Sequence, residues 1–165
     1  MSKTEKNLKE AFAGESQANR KYLAFAEKAD KDGYRQAARL FRAVAAAETV
    51  HAHAHLRVMR GIGTTQENLK EAIEGEIHEF KSMYPDMVTV AGEEGNAAAE
   101  RSFAFAMEVE ELHANLYRNM LENLDAGGRE YPYYICPVCG FTAEEEPPGT
   151  CPVCGARGSV FQRVE

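Results

Sequence analysis

The strongest constraint in this sequence is a set of acidic residues standing where a helical core should be. Four long stretches carry apolar residues at steps of three and four, the spacing that lines one face of a helix. The first stripe reads Leu8, Phe12, Glu15, Ala18, Tyr22, Phe25 or Ala26, Ala29, and the second Ala37, Phe41, Val44, Glu48, His51, His55. The third reads Leu69, Ala72 or Ile73, Glu76, Glu79 or Phe80, Met83. The fourth reads Ala99, Phe103, Ala106, Glu110, His113, Leu116 or Tyr117, Met120, Leu124. Glu15, Glu48, Glu76, Glu79 and Glu110 would then project into one interior, repel one another and each resist desolvation. Two divalent cations nearly cancel five carboxylates, and the two histidines can serve as neutral ligands. The pattern therefore asks for a dinuclear metal centre. The opposing reading, glutamates on solvent-facing stripes as most glutamates are, requires all four stripes to be misread in the same sense.

An internal near-repeat strengthens the metal reading. Glu15 precedes Glu48 by 33 residues, and Glu76 precedes Glu110 by 34. Both later glutamates open a Glu-x-x-His, at Glu48/His51 and Glu110/His113. A spacing of three puts both side chains on one helix face. A lone Glu-x-x-His is a weak signal; two of them, each preceded by a matched Glu, form the di-iron carboxylate pattern of ferritin-like bundles. Oxygen-rich ligation with two imidazoles suits iron or manganese better than zinc. Glu79 is surplus to a symmetric set of four Glu and two His, and a surplus ligand can exchange with another when the metal changes charge.

The helices are expected over about 4–31, 34–60 and from 64, then from 96 to 125. Asp32-Gly33 and Gly61-Ile62-Gly63 act as stops. Thr64 with Glu67 forms a capping box, and Asn96 caps the last helix. The third helix should weaken at Tyr84-Pro85, because a residue before proline disfavours the helical region. A shorter piece, Asp86 to Ala91, bridges onward. These lengths fit a four-helix bundle, but a ferritin-like bundle needs a long crossover between its second and third helices. Three residues span at most ~11 Å, so either the bundle is a simple up-and-down one or the helix pairs come from different chains of a swapped dimer.

Composition changes near Gly127-Gly128: five of the six prolines and all four cysteines follow it. The expected architecture is an all-α four-helix domain, 1–128, joined to a small β module, 129–165. Cys136-Pro-Val-Cys139-Gly140 and Cys151-Pro-Val-Cys154-Gly155 are matching knuckles whose four thiolates can close tetrahedrally on iron or zinc. The glycine after each knuckle permits a left-handed turn. So short a module builds little core, and metal must carry most of its folding.

With 165 residues, 27% of them charged, and a net charge of −7, the chain is neither a disordered tail nor a generic nucleic-acid or anionic-membrane binder. No stretch approaches the ~20 apolar residues of a membrane span, and the lysines near the start precede no apolar run of a signal peptide. A cytoplasmic protein is expected, with its cysteines reduced or metal-bound.

Taken together, the residues resemble the rubrerythrin family over almost the whole chain. The likeness rests on Gly14-Glu15-Ser16-Gln17-Ala18-Asn19-Arg20-Lys21-Tyr22, Glu48-Thr49-Val50-His51-Ala52-His53, the stretch Glu76 to Pro85, Glu110-Glu111-Leu112-His113 and both knuckles. The resemblance implies a ferritin-like di-iron bundle joined to a rubredoxin-like iron module. Its di-iron ligands are Glu15, Glu48, His51, Glu76, Glu79, Glu110 and His113, with Glu79 and His51 exchanging on one iron. The other iron ligands are Cys136, Cys139, Cys151 and Cys154. Tyr22 and Tyr84 match tyrosines beside the di-iron centre. The family's activity implies a peroxidase: hydrogen peroxide plus two protons and two electrons gives two waters. Electrons come from a donor such as rubredoxin or an NAD(P)H-dependent reductase, in defence against oxidative stress.

A tail at the end of a helix ~42 Å long would sit ~20 Å from its own mid-helix metals, and the resemblance implies a head-to-tail homodimer that brings one chain's tail to the other's bundle. A ferroxidase or iron-handling role is the first alternative; an interaction protein with a structural zinc ribbon is the second. The two tyrosines could equally be packing residues. His53 and His78 read as solvent-facing and His55 as packing behind His51. Glu93-Glu94 and Glu144-Glu145-Glu146 read as solvated loop charge.

Overall fold

Helix α1 (Lys3–Lys31) begins where Ser2 accepts the Glu5 N–H and the Glu5 carboxylate accepts the Ser2 N–H, a reciprocal cap. It ends at Asp32 and Gly33, the latter at φ 85°, a left-handed conformation that glycine adopts without strain. Helix α2 (Arg35–Val58) follows. A computed structural model describes residues 1–127 and 129–164 of the chain. Within them the chain divides into two compact units that meet in sequence at Gly63 and Thr64.

In the first unit the innermost residues are alanines: Ala26 and Ala29 on α1 face Ala38, Ala45 and Ala52 on α2. Small side chains let the backbones approach closely. Asn19, the one buried polar residue, donates to the carbonyl of Ala45 at 2.7 Å and to Thr49 Oγ1 at 2.9 Å. The sequence reading set a larger apolar stripe at the centre. Phe12, Phe41 and Val44 are instead half-buried, because two helices can enclose only one narrow seam.

The second unit opens with α3 (Thr65–His78), where Thr64 and Glu67 form the expected capping box. A π-helical turn (Glu79–Met83) leads without a break into α4 (Tyr84–Glu93). This corrects the expected weakening at Tyr84-Pro85 and the separate piece 86–91. The Tyr84 N–H bonds the Glu79 carbonyl five residues back. The widened turn moves backbone carbonyls out of the way of the Pro85 ring, so the helix continues. Helix α5 (Ala97–Asn123) starts at Asn96, whose side chain accepts the Ala99 N–H at 3.2 Å.

Strands β1 (Tyr133–Ile135), β2 (Thr142–Glu144) and β3 (Gln162–Val164) form an antiparallel sheet in the order β2-β1-β3. Tyr134 pairs with Ala143 on one side and Arg163 on the other. The fold class is the expected one: a mostly helical chain followed by a small strand module that carries four cysteines. Glu144 lies on β2 rather than in a loop and accepts the Tyr131 hydroxyl at 2.6 Å, while Glu145 pairs with Arg129 at 2.5 Å. Gly128, at the expected domain boundary, lies outside the described residues. No described helix is long and apolar enough to cross a membrane.

The tail folds back along α5. Thr142 Oγ1 lies 3.0 Å from His113 Nε2, and a Cβ built on Gly140 would sit 3.8 Å from Val109 Cγ1. The expected separation of the tail from its own helical ligands is therefore wrong. A tail continuing the line of α5 would lie far from those ligands; the chain instead reverses after Asn123.

Candidate metal centres

Each unit presents one triad of ligands. In the first, α1 supplies Glu15 and α2 supplies Glu48 and His51, with one ligand atom from each within 4.8 Å of the others. His51 Nδ1 is 2.8 Å from Glu48 Oε2 and 3.9 Å from Glu15 Oε1. The Asn19 amide, bonded to Ala45 and Thr49 just before and after Glu48, ties the two helices at this level. His51 is 56% exposed and Glu48 only 15%, so within its own unit this triad occupies the edge of the seam.

In the second unit, α3 supplies Glu76 and α5 supplies Glu110 and His113, again within 4.8 Å. His113 Nδ1 is 2.7 Å from Glu110 Oε2. Burial, followed by the charge of Glu110 and a hydrogen bond to it, pushes the Glu76 carboxyl up to about 7. Glu79 opens the π-helical turn and stands outside the triad. Burial and the charge of Glu110 raise its carboxyl, while His78 and His113 act the other way. Tyr84 lies beside the same acids; burial first, then Glu79, Glu110 and Glu76, raise its phenol. Tyr22 packs against the rings of Phe25 and Phe41, each centroid 6.3 Å away. His53 and His78 are exposed and His55 is half-buried, as expected.

The donor chemistry fits cations. Each triad sets two carboxylates against one imidazole, and in the second the acids are crowded enough to hold a proton between them. A divalent ion relieves that crowding, and the oxygen-rich set suits iron or manganese.

The cysteine module is a second kind of site. The four Sγ atoms lie within 4.8 Å of one another, with Cys136–Cys154 at 3.6 Å and Cys139–Cys151 at 3.5 Å. Those separations are far beyond a disulfide bond. They lie close to the ~3.8 Å edge of a tetrahedron of sulfurs about a metal at ~2.3 Å. Each knuckle is closed by backbone bonds: the Gly140 N–H to the Cys136 carbonyl at 2.9 Å and the Gly155 N–H to the Cys151 carbonyl at 3.0 Å. Both glycines have positive φ, 87° and 76°. Burial opposes the Cys136 thiolate, but the N–H groups of Val138 and Cys139 together with the thiols of Cys154 and Cys139 outweigh it and bring the thiol down to about 7. Burial raises Cys139 and Cys154.

Sequence reasoning missed Asn19 as the bridge between α1 and α2, and Thr142 as the partner of His113. Both lie in or beside motifs that were singled out, but neither carries a spacing that reveals its partner.

Comparison with known proteins adds a family. The rubrerythrin family model matches residues 6–121, and the model described as the rubredoxin-like domain of rubrerythrin matches residues 134–162. The chain is similar to Rubrerythrin-2 of Clostridium acetobutylicum, 38% identical over 94% of this chain and 93% of that one. It is also similar to nigerythrin of Nitratidesulfovibrio vulgaris, 36% identical over 87% of this chain and 77% of that one. A solved structure described as the partially reduced state of nigerythrin matches with a TM-score of 0.61 and 33% identity, over 99% of this chain and 88% of that one.

Proposed function

The chain belongs to the rubrerythrin family, and from that premise we propose that it is an oxidoreductase reducing hydrogen peroxide to water, with electrons relayed through the four-cysteine site. Its metal sites are of two kinds, a di-iron centre and one iron held by four thiolates. Glu15, Glu48, His51, Glu76, Glu79, Glu110 and His113 would hold the pair, and Cys136, Cys139, Cys151 and Cys154 the single ion. When bound, the irons supply the two electrons that convert one peroxide and two protons into two waters.

The chain's own part is to hold ligands, keep distances and deliver protons. Glu110 and Glu48, each turn-mates of a histidine, fix the spacing of their triads. Tyr84, with its phenol proton held by burial and three neighbouring carboxylates, is the O–H donor beside the second triad. Glu79, outside the triad yet next to it, is the carboxylate free to change partners. Tyr22 belongs to the proposed set as well, as an orienting residue of the first unit.

The observation that carries this reading is the hydrogen bond between His113 and Thr142, 3.0 Å long. It joins a ligand of the helical site to the cysteine module within one unit. An iron store or a ferroxidase needs no such return path. The donor, rubredoxin or an NAD(P)H-dependent reductase, a cytoplasmic location and the division into 1–128 and 129–165 belong to the same proposal. The head-to-tail homodimer also belongs to it and rests on the family alone, since the tail reaches a triad of its own chain.

Cys136→Ser separates the roles. The variant should still consume about one equivalent of peroxide per reduced di-iron centre and lose sustained turnover with the donor. Sustained turnover at the wild-type rate would contradict the relay.

A further inference from the structure

We propose that Thr142 is a positioning residue that fixes the tautomer of His113 and latches the cysteine module onto α5. Thr142 Oγ1 is 3.0 Å from His113 Nε2 and 3.1 Å from the carbonyl oxygen of Gly140. A hydroxyl has one proton to give. The Gly140 carbonyl can only accept, so the hydroxyl proton goes there. Oγ1 is then free to accept from the ring, the arrangement of an imidazole that carries its proton on Nε2. A neutral imidazole with its proton on Nε2 has a bare lone pair on Nδ1. That atom lies 2.7 Å from Glu110 Oε2. A lone pair facing a carboxylate is unfavourable unless a proton or a cation stands between them. With a cation on Nδ1, Thr142 is the acceptor that holds the Nε2 proton and orients the ring.

The other end of the chain of bonds is equally fixed. Gly140 directly follows Cys139, and its N–H is bonded to the Cys136 carbonyl at 2.9 Å. The carbonyl that receives the Thr142 proton is therefore part of the first knuckle, and folding of the knuckle aims it. Two hydrogen bonds connect the thiolate site to the outer nitrogen of a helical ligand.

The first triad lacks this device. His51 Nδ1 faces Glu48 at 2.8 Å in the same way, but among the described residues nothing bonds its Nε2, and the side chain is 56% exposed. The two imidazoles are unequal: among the described residues His113 is bonded at both ring nitrogens and His51 at one. That outer-nitrogen partners orient metal-binding histidines and tune their affinity is general.

The ligand role and the tautomer of His113 rest on the proposed function; the latch does not. The test uses the full-length chain with zinc at its metal sites, compared with Thr142→Val, which keeps the shape and removes the hydroxyl, and Thr142→Ser, which restores it. Nitrogen-15 NMR should show a slowly exchanging proton on His113 Nε2 in the wild type, its loss of protection in T142V and its return in T142S. Cobalt(II) affinity at the helical site should fall about 10- to 100-fold in T142V, while the absorption of an iron-loaded four-cysteine site stays unchanged. Thr142→Ala gives the same readings should T142V not fold. Equal Nε2 protection and equal cobalt affinity in wild type and T142V would overturn the proposal, as would a T142S that restores neither. A chain that passes these tests yet turns over no peroxide would remove the peroxidase reading and leave the latch standing.

Discussion

Burial and the adjacent Glu110 lift the Glu76 carboxyl to about 7, well above its ordinary value, so in the chain without metal it gives up its proton near neutrality rather than in acid. A carboxyl raised in the folded state contributes stability that is present at low pH and is lost as pH rises through its folded value. The chelated chain should therefore melt at a lower temperature as pH rises from roughly 5 to 8, and Glu76→Gln should flatten that trend. Metal must displace the same proton, so cobalt(II) binding should weaken on acidification over this range and calorimetry should record proton release. At Asn19, Asn19→Ala removes the amide's two hydrogen bonds across the α1–α2 seam and should cost about 1–3 kcal/mol by urea denaturation. The residues that converge in the two triads were legible in the sequence because few residue types can bind metal and the Glu-x-x-His spacing repeats. Asn19 and Thr142 were not, because an amide or a hydroxyl takes its role from a partner 26 or 29 residues away.

Helix starts were legible because caps are local: Thr64 with Glu67 and Asn96 needed only their own neighbours. The knuckle glycines were legible for the same reason, and their positive φ has a measurable cost. Gly140→Ala should destabilise the cysteine module by about 1–2 kcal/mol, seen as loss of its iron absorption at lower temperature while helical circular dichroism persists. The π-helical turn was hidden, since Pro85 reads as a break unless the preceding turn widens. That turn adds a residue between Glu76 and the end of the helix and sets where Glu79 stands. Pro85→Ala lets the segment relax to an α-helix, which shifts later residues by about 100° around the axis. The expected outcome is unchanged helicity with weaker metal binding at the helical site. Unchanged binding would mean that the turn does not position Glu79.

At the scale of the whole molecule, the near-repeat in sequence becomes one ligand triad in each of two compact units, and the composition break becomes a strand module with four converging sulfurs. What the sequence hid was the return of the tail along α5. Chain reversal after Asn123 depends on a packing surface around Val109 and His113 that no local pattern encodes. The same return places the cysteine module against a helical ligand, and the proposal of a peroxidase rather than an iron store rests on it. The most direct measurement is anaerobic mixing of the fully reduced, iron-loaded protein with hydrogen peroxide and, separately, with dioxygen, following oxidation of the helical-site iron. Much faster oxidation by peroxide is the result expected here; oxidation by dioxygen at an equal or greater rate would contradict the peroxidase account.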